Sequence, residues 1–308
     1  MIRVDVVSDT PEWLEERRNS IGASEVAAVM GMSPWNTPLE IYKSKMGVDT
    51  PFNEDLAWIG HRSESLVADW ITERSGLGLK LEPHGFMARH DSLPLHASFD
   101  RVQLDPFLTV QIKTAHQYSG HKWDEGIPTD IRVQVQAEML VAGTARALVV
   151  VLIGGREFRP FWEIFDQAFA YEHMVPAIEK FWANVQNGIP PEPSSLAEVN
   201  EVWPSEAAEF EADEELFDLV GQRAILLADA EAMVKEADEL KLTIAQAMQT
   251  ADTLTFKGRK ILTYKSQKGR ASFDTAAFKA EHPDLAAQYT RQGADFKVMR
   301  TVKGALDV

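Results

Sequence analysis

Apolar and polar side chains alternate through residues 95–104 and again through 107–113, with Asp105-Pro106 between them; this period of two around a turn predicts a β-hairpin. On the second strand Leu108, Val110 and Ile112 share one face and Thr109, Gln111 and Lys113 the other, while Asp100 shares a face of the first strand with Ser98 and Val102. Further strands are predicted near 79–82 and 85–90, at ALVVVLI (147–153) and at FRPFWEI (158–164). Helical spacing fills the intervals. Thr10-Pro11 caps a helix through EWLEERR, ASEVAAVM forms a short one stopped by Gly31, and Thr37-Pro38 opens another that Gly47 ends. A longer helix is predicted from about Asp55 to Arg74, with more helix at 130–142 and 166–187. Strands and helices interleaved in this way make an α/β protein, a mixed sheet flanked by helices.

The prolines and serines of NGIPPEPSSLAEVNEVWP (187–204) suit a linker or a surface-hugging connection. Beyond it, 205–250 is an amphipathic helical pattern carrying Leu216, Val220, Leu227, Val234, Leu242 and Ile244, either one long helix or a hairpin of two. Charge is partitioned here: 192–239 holds 15 acidic against 2 basic residues, and 257–303 holds 11 basic against 4 acidic. Solvated faces are the plainer reading of both blocks; the sharper one puts the basic tail (KGRK, KSQKGR, KVMRTVK) on DNA and turns the acidic helix to water or a partner protein. The expected organisation is one domain over 1–190 and a C-terminal extension over 191–308, a long acidic helical segment followed by a small basic α/β tail.

Composition narrows the setting. The 308 residues, 45% hydrophobic and 25% charged, are those of a globular protein with a sizeable core. Without cysteine, disulfides and thiolate metal sites are excluded, and an intracellular setting is expected. The first residues lack the basic start and apolar stretch of a signal peptide, and no apolar run reaches membrane-spanning length, so a cytoplasmic protein with no membrane contact is expected. A net charge of −16 argues against indiscriminate adhesion to nucleic acid while leaving room for a local basic channel.

Asp100, Gln111 and Lys113 bring a carboxylate, an amide and an ammonium to one patch, an odd offering for a sheet to make to its own core. Phosphodiester hydrolysis uses such parts. A divalent cation activates water and offsets charge on the phosphoryl oxygens, Mg²⁺ takes carboxylate, carbonyl and water oxygens, and a neighbouring cationic side chain stabilises the transition state. The candidate ligands are Asp100, the Gln111 amide oxygen and the Ile112 carbonyl, with Lys113 as the cation. Glu64, in AWIGHRSESLVADW, is a third acid one helical turn from Gly60 and from Ala68, small residues that would let its helix approach a sheet.

Trp13, Arg17, Ile21, Ala23, Ser24, Glu25 and Val26 form one block, followed by GMSPWNTPLEIYKSKMG; Trp58, Gly60 and Glu64 form the next. Then come Ser98-x-Asp100 with the Gln111-Ile112-Lys113 strand, and the helical Gln134-Val135-Gln136 with Met139 and Gly143 behind it. Five blocks in order and spacing are specific. Together they resemble the lambda-exonuclease-like, YqaJ-type viral recombinase branch of the PD-(D/E)XK nucleases. The resemblance covers about 10–165, and less sharply the remainder, where Arg270-x-x-x-Asp274 and the basic end are similar to phage-encoded members. It implies a restriction-endonuclease-like core and a processive Mg²⁺-dependent exonuclease, with Mn²⁺ able to substitute. Such an enzyme digests linear double-stranded DNA from 5′ ends, leaving 3′ overhangs for a single-strand annealing recombinase. It further implies Glu64, Asp100 and Gln111 as metal ligands, Lys113 as the catalytic lysine, Gln134 as its support, and Arg17 and Ser24 at the terminal 5′-phosphate. A homo-oligomeric ring, such as a trimer around the duplex, and the cytoplasm of a bacterial or phage-infected cell are also implied.

Two positions depart from the family pattern: Gln111 stands where Glu is usual and Phe99 where Pro is usual. A neutral amide offers an oxygen but no charge, so metal affinity should fall. A natural variant served by Glu64 and Asp100 is the favoured account, over a deliberate substrate-trapping change and over a lineage that binds ends without cutting. Among weaker signals, the histidines at 84, 90, 96, 116 and 121 lack zinc-site spacing, and no nucleophile elbow or Walker loop is present. Of Trp35, Trp58, Trp70 and Trp123, Trp123 is the best placed to lie near DNA.

Overall fold

The computed structural model describes residues 1–6, 10–48, 54–205, 208–293, 297–302 and 304–305. Its contacts divide the chain into two units, Met1–Val202 and Trp203–Val308.

In the first unit the chain runs β1 (Ile2–Val4), α1 (Pro11–Arg18), β2 (Ile21–Gly22), α2 (Val26–Val29), α3 (Pro38–Lys45), α4 (Glu54–Glu73), β3 (Met87–Arg89), β4 (Leu95–Ser98), β5 (Arg101–Leu104), β6 (Phe107–Ala115), α5 (Thr129–Ala142), β7 (Arg146–Ile153), β8 (Glu157–Ile164), α6 (Gln167–Phe169), α7 (Val175–Gln186) and α8 (Leu196–Val202). The helix starts follow the capping chemistry. Thr10 accepts the Trp13 N–H at 3.3 Å ahead of α1, and Thr37 makes a reciprocal capping box with Glu40 ahead of α3.

Two four-stranded sheets result, in the orders β1-β3-β4-β2 and β5-β6-β7-β8. Both are mixed: β2 runs parallel to β4, β6 parallel to β7, and the remaining pairs are antiparallel. The single strand expected over 95–104 is broken at Phe99-Asp100, and its halves lie in different sheets. The backbone at Gly85 comes close to this break: a Cβ there would lie 1.6 Å from the Phe99 carbonyl oxygen, so only glycine fits. Residues 79–82 form no strand. They are tied to the sheet edge instead, Glu82 N–H donating to Val102 O and Lys80 N–H to Gln103 Oε1.

The β5–β6 hairpin pairs Arg101 with Val110 and Leu104 with Phe107. Leu108, Val110 and Ile112 pack with Leu148 and Val150 against Val67, Ala68 and Ile71 of α4. On the opposite face Val149 and Val151, registered beside Gln111 and Lys113, pack with Val135 and Met139 of α5. Helix α5 is therefore enclosed from Val135 to Val141, since its Val133, Ala137, Leu140 and Val141 belong to the core under the first sheet, while Thr129 and Arg132 of its first turn stay exposed.

The proline-rich segment, read as a linker or a surface-hugging connection, ends in α8, which belongs to this unit. Glu198, 7% exposed, accepts from the Thr37 hydroxyl and, at 2.7 Å, from Ser194 N–H, and Glu201 pairs with Lys43 at 2.6 Å. In the second unit 214–248 is one uninterrupted helix, α9 (Glu214–Met248), followed by the hairpin β9 (Thr253–Phe256) and β10 (Arg259–Thr263) and the short helices α10 (Thr275–Glu281) and α11 (Pro283–Tyr289). No helix among the described residues is long and apolar enough to cross a membrane.

Candidate active site

Asp100 sits where the chain crosses between the two sheets, and this places its carboxylate against β6. One oxygen accepts both the Gln111 Nε2 hydrogen at 2.6 Å and the Ile112 backbone N–H at 2.7 Å. Desolvation raises Asp100 to about 6; Glu64 pushes the same way, while Lys113, the Ile112 N–H and Arg101 oppose it. Gln111 is 3% exposed, and with its NH₂ group committed to Asp100 its Oε1 is buried with no partner. An orphaned buried acceptor costs about 1–3 kcal/mol, which a bound cation would offset. Lys113, two residues along the same face, donates to Gln134 Oε1 at 3.0 Å from across the α5 interface.

The same interface holds a residue that the sequence reading passed over. Gln134 Nε2 donates at 2.7 Å to Glu138 Oε1, one turn along α5. Glu138 is 1% exposed. Burial first, and Asp100 second, raise it to about 8, against smaller opposing effects of Lys113 and the Gln134 hydrogen bond. The i, i+4 spacing from Gln134 in QVQAE was the available signal. It is masked by the helix, whose residues from Val135 to Val141 are all buried, so no polar stripe marks Glu138 out.

Glu64 is held differently. Its Oε2 accepts from Arg101 Nη1 at 2.9 Å, and the same nitrogen reaches the Asp100 carbonyl oxygen at 2.6 Å. Arg101 lies on the α4 face of β5, opposite Val110, so Glu64 approaches from the far side of the sheet from α5. Ala68 packs against that sheet as expected. Gly60 does not: nothing lies within 4 Å of where its Cβ would be. Among the described residues no three His, Asp or Glu side chains stand as a ready-made metal cluster. Oxygen donors for a hard cation are nonetheless present in Asp100 and the orphaned Gln111 Oε1, and this donor chemistry fits Mg²⁺.

Lys113 and Gln134 open onto a cleft of about 520 Å³, also lined by Ser24, Trp35, His116, Lys122 and Trp123. Ser24 lies on the 3₁₀ turn Ala23–Glu25 at its rim. Arg17 is set behind this turn, its guanidinium 4.6 Å from the Trp13 ring centre and 3.6 Å from Glu25. Lys45 meets the same carboxylate at 2.6 Å with its side chain 1% exposed, so two cations surround one anion and a net positive charge remains. Burial works against ionised Glu25, but Lys45 and Arg17 together hold its carboxyl below the usual range. Trp123, 4% exposed and 5.7 Å from Phe161, lines the cleft from within the core. Trp35 is 74% exposed, with Lys122 5.8 Å from its ring centre.

Residues 12–145 match the family model of the YqaJ-like viral recombinase domain, and all the site residues named above except Phe161 lie inside that match. The resemblance to YqaJ-type recombinases is thereby borne out. The chain is 28% identical over 290 residues to the protein YqaJ of Bacillus subtilis, covering 89% of this chain and 88% of that one. Among solved structures, an alkaline exonuclease of Laribacter hongkongensis, LHK-Exo, is 18% identical with a TM-score of 0.49, over 58% of this chain and 94% of that one. A phage-related exonuclease from Haemophilus somnus is 10% identical with a TM-score of 0.40, over 55% and 96%.

Proposed function

We propose that this chain is a Mg²⁺-dependent exonuclease that digests linear double-stranded DNA from its 5′ ends, leaving 3′ single-stranded overhangs for phage-type recombination by strand annealing. The observation that supports it most directly is the unpartnered Gln111 Oε1 beside the Asp100 carboxylate, one residue pair from a lysine that opens onto a cleft. Asp100, Gln111 and the main chain at Ile112 would hold the ion. When bound, it supplies Lewis-acid activation of water and of the scissile phosphate. The other parts come from the chain. Lys113, oriented by Gln134, donates to charge that develops on the phosphoryl oxygens, and the half-buried Asp100 keeps its carboxylate fixed through two hydrogen bonds. Ser24 and the net positive charge around Arg17 and Lys45 suit a terminal 5′-phosphate. An annealing recombinase as partner and a ring of identical subunits, such as a trimer, complete the proposal.

The direct test is a linear duplex with 5′-phosphates, labelled separately at each end and incubated with Mg²⁺ or Mn²⁺. Early release of 5′-terminal nucleotides supports the proposal. One observation favours a second reading, an end-binding protein that cuts weakly or not at all: position 111 carries no charge and its amide already engages Asp100. Retained end binding with no nucleotide release at any metal concentration would establish that reading in place of the first.

A further inference from the structure

We infer that Glu138 of α5 is the second carboxylate of the cation site, supplying from the helix the charge that Gln111 does not supply from the strand. The inference rests on the metal-dependent reading above and adds a ligand to it.

Charge counting at the site singles out this residue. Glu64 is matched by Arg101 at 2.9 Å. Asp100 receives only neutral donors, the Gln111 amide and the Ile112 N–H, and the nearest ammonium, Lys113, is engaged by Gln134. Asp100 alone brings one negative charge to a dication. Glu138 brings the second, and among the described residues no Lys, Arg or His side chain forms an ion pair with it; its partner is the neutral Gln134 amide at 2.7 Å. An acid 1% exposed with no ion-pair contact, and only the through-space effect of Lys113 to favour its charged form, is expensive to fold around. It is retained on the α5 face that covers Lys113, where the charge of Asp100 disfavours its ionisation.

A cluster of acids alone would not define a site. The independent sign is Gln111 Oε1, buried and without a partner on this same side of the sheet. Two carboxylates and a free amide oxygen are the donor set a hard dication takes, and an incoming ion satisfies all three at once. The competing role for Glu138 is purely structural, a hydrogen-bond acceptor that orients Gln134 toward Lys113. Glutamine at 138 would still accept that bond, so the isosteric substitution separates charge from positioning.

The experiment is a calorimetric titration of the intact chain with Mn²⁺ at pH 8 without DNA, on the wild type, Asp100→Asn, Glu138→Gln, Gln111→Glu and the double substitution Gln111→Glu with Glu138→Gln. The expected results are loss of binding in Asp100→Asn, weakening in Glu138→Gln by on the order of 10- to 100-fold, and recovery of most of the affinity in the double variant. Binding by Glu138→Gln within twofold of wild type, with Asp100→Asn silent, would overturn the inference and leave the metal-dependent reading standing. If the wild type binds no Mn²⁺, or Asp100→Asn binds it unchanged, the site reading falls and the inference with it. Crystals of the wild type soaked in Mn²⁺ answer without any variant: the anomalous peak is expected roughly 2.0–2.3 Å from a Glu138 oxygen, and Glu138 still bound only to Gln134 beside an ion at Asp100 would refute the assignment.

Discussion

Gln111 gives its amide hydrogen to the Asp100 carboxylate over 2.6 Å and leaves its own oxygen with nothing to accept. The amide is thus an internal neutral stand-in, able to bond an anion that the usual glutamate would repel. Gln111→Glu is expected to exchange that attraction for repulsion. In EDTA the variant should unfold with about 2 kcal/mol less stability, roughly 4–8 °C in melting temperature, while saturating Mg²⁺ should return more to it than to the wild type. A variant as stable as wild type in EDTA would show that this hydrogen bond contributes nothing net.

Arg17 and Lys45 share Glu25, so removing the arginine leaves the buried carboxylate still paired with an amine at 2.6 Å. Arg17→Ala should therefore fold normally and lose a selective function. Its expected signature is a preference for 5′-phosphorylated over 5′-hydroxyl ends that narrows about tenfold, worth about 1.4 kcal/mol, with the rate on 5′-hydroxyl ends unchanged. Competition between the two kinds of end measures it, and an equal loss on both would assign Arg17 to general structure.

The strand alternation made the β5–β6 hairpin legible, along with the facing of Gln111 and Lys113 away from Leu108, Val110 and Ile112, because a period of two is a local property of the backbone. What escaped the sequence depends on distant partners. The break at Phe99-Asp100 lies against Gly85, the engagement of Glu64 on α4 needs Arg101 on β5, and α8 docks through Thr37 and Lys43, more than 150 residues earlier. Trp123 was read from its loop-like surroundings, yet it packs beside Phe161. Glu138 escaped for the opposite reason: the stretch of α5 from Val135 to Val141 is buried all round and has no polar face, and a buried acid in it looks like any surface glutamate.

Gly85 lies against the backbone that carries Asp100. A methyl there would lie 1.6 Å from Phe99 O and 2.9 Å from Asp100 O, both backbone atoms, so the crossing between the sheets would have to move. Gly85→Ala is expected to cost about 1–3 kcal/mol and to weaken Mn²⁺ binding along with stability. Wild-type metal affinity in a destabilised Gly85→Ala protein would show that the displacement is absorbed away from Asp100.

Glu138 also sets the pH response of the metal-free protein. Its folded pKa of about 8 lies above its ordinary 4.5, so between those values the folded chain holds a proton that the unfolded chain has released, and stability falls as pH rises. Asp100, raised from 3.8 to about 6, acts in the same direction over its lower window. His96, buried against Ser20 and lowered from 6.5 to about 3, opposes both: it keeps the folded chain short of a proton up to about 6.5, where stability rises with pH. Glu25, held below 4.5, likewise loses its contribution only in more acidic solution. From 6.5 to 8 Asp100 and the histidines are past their midpoints and fade, so Glu138, with Lys113 and Gln134 as its neighbours, makes the dominant contribution. In EDTA, chemical denaturation should show stability falling there by up to about 1.4 kcal/mol per pH unit, and Glu138→Gln should flatten the slope. A wild-type curve that is level or rising from 6.5 to 8, or a slope that survives in Glu138→Gln, would mean that another group titrates or that Glu138 ionises without hindrance.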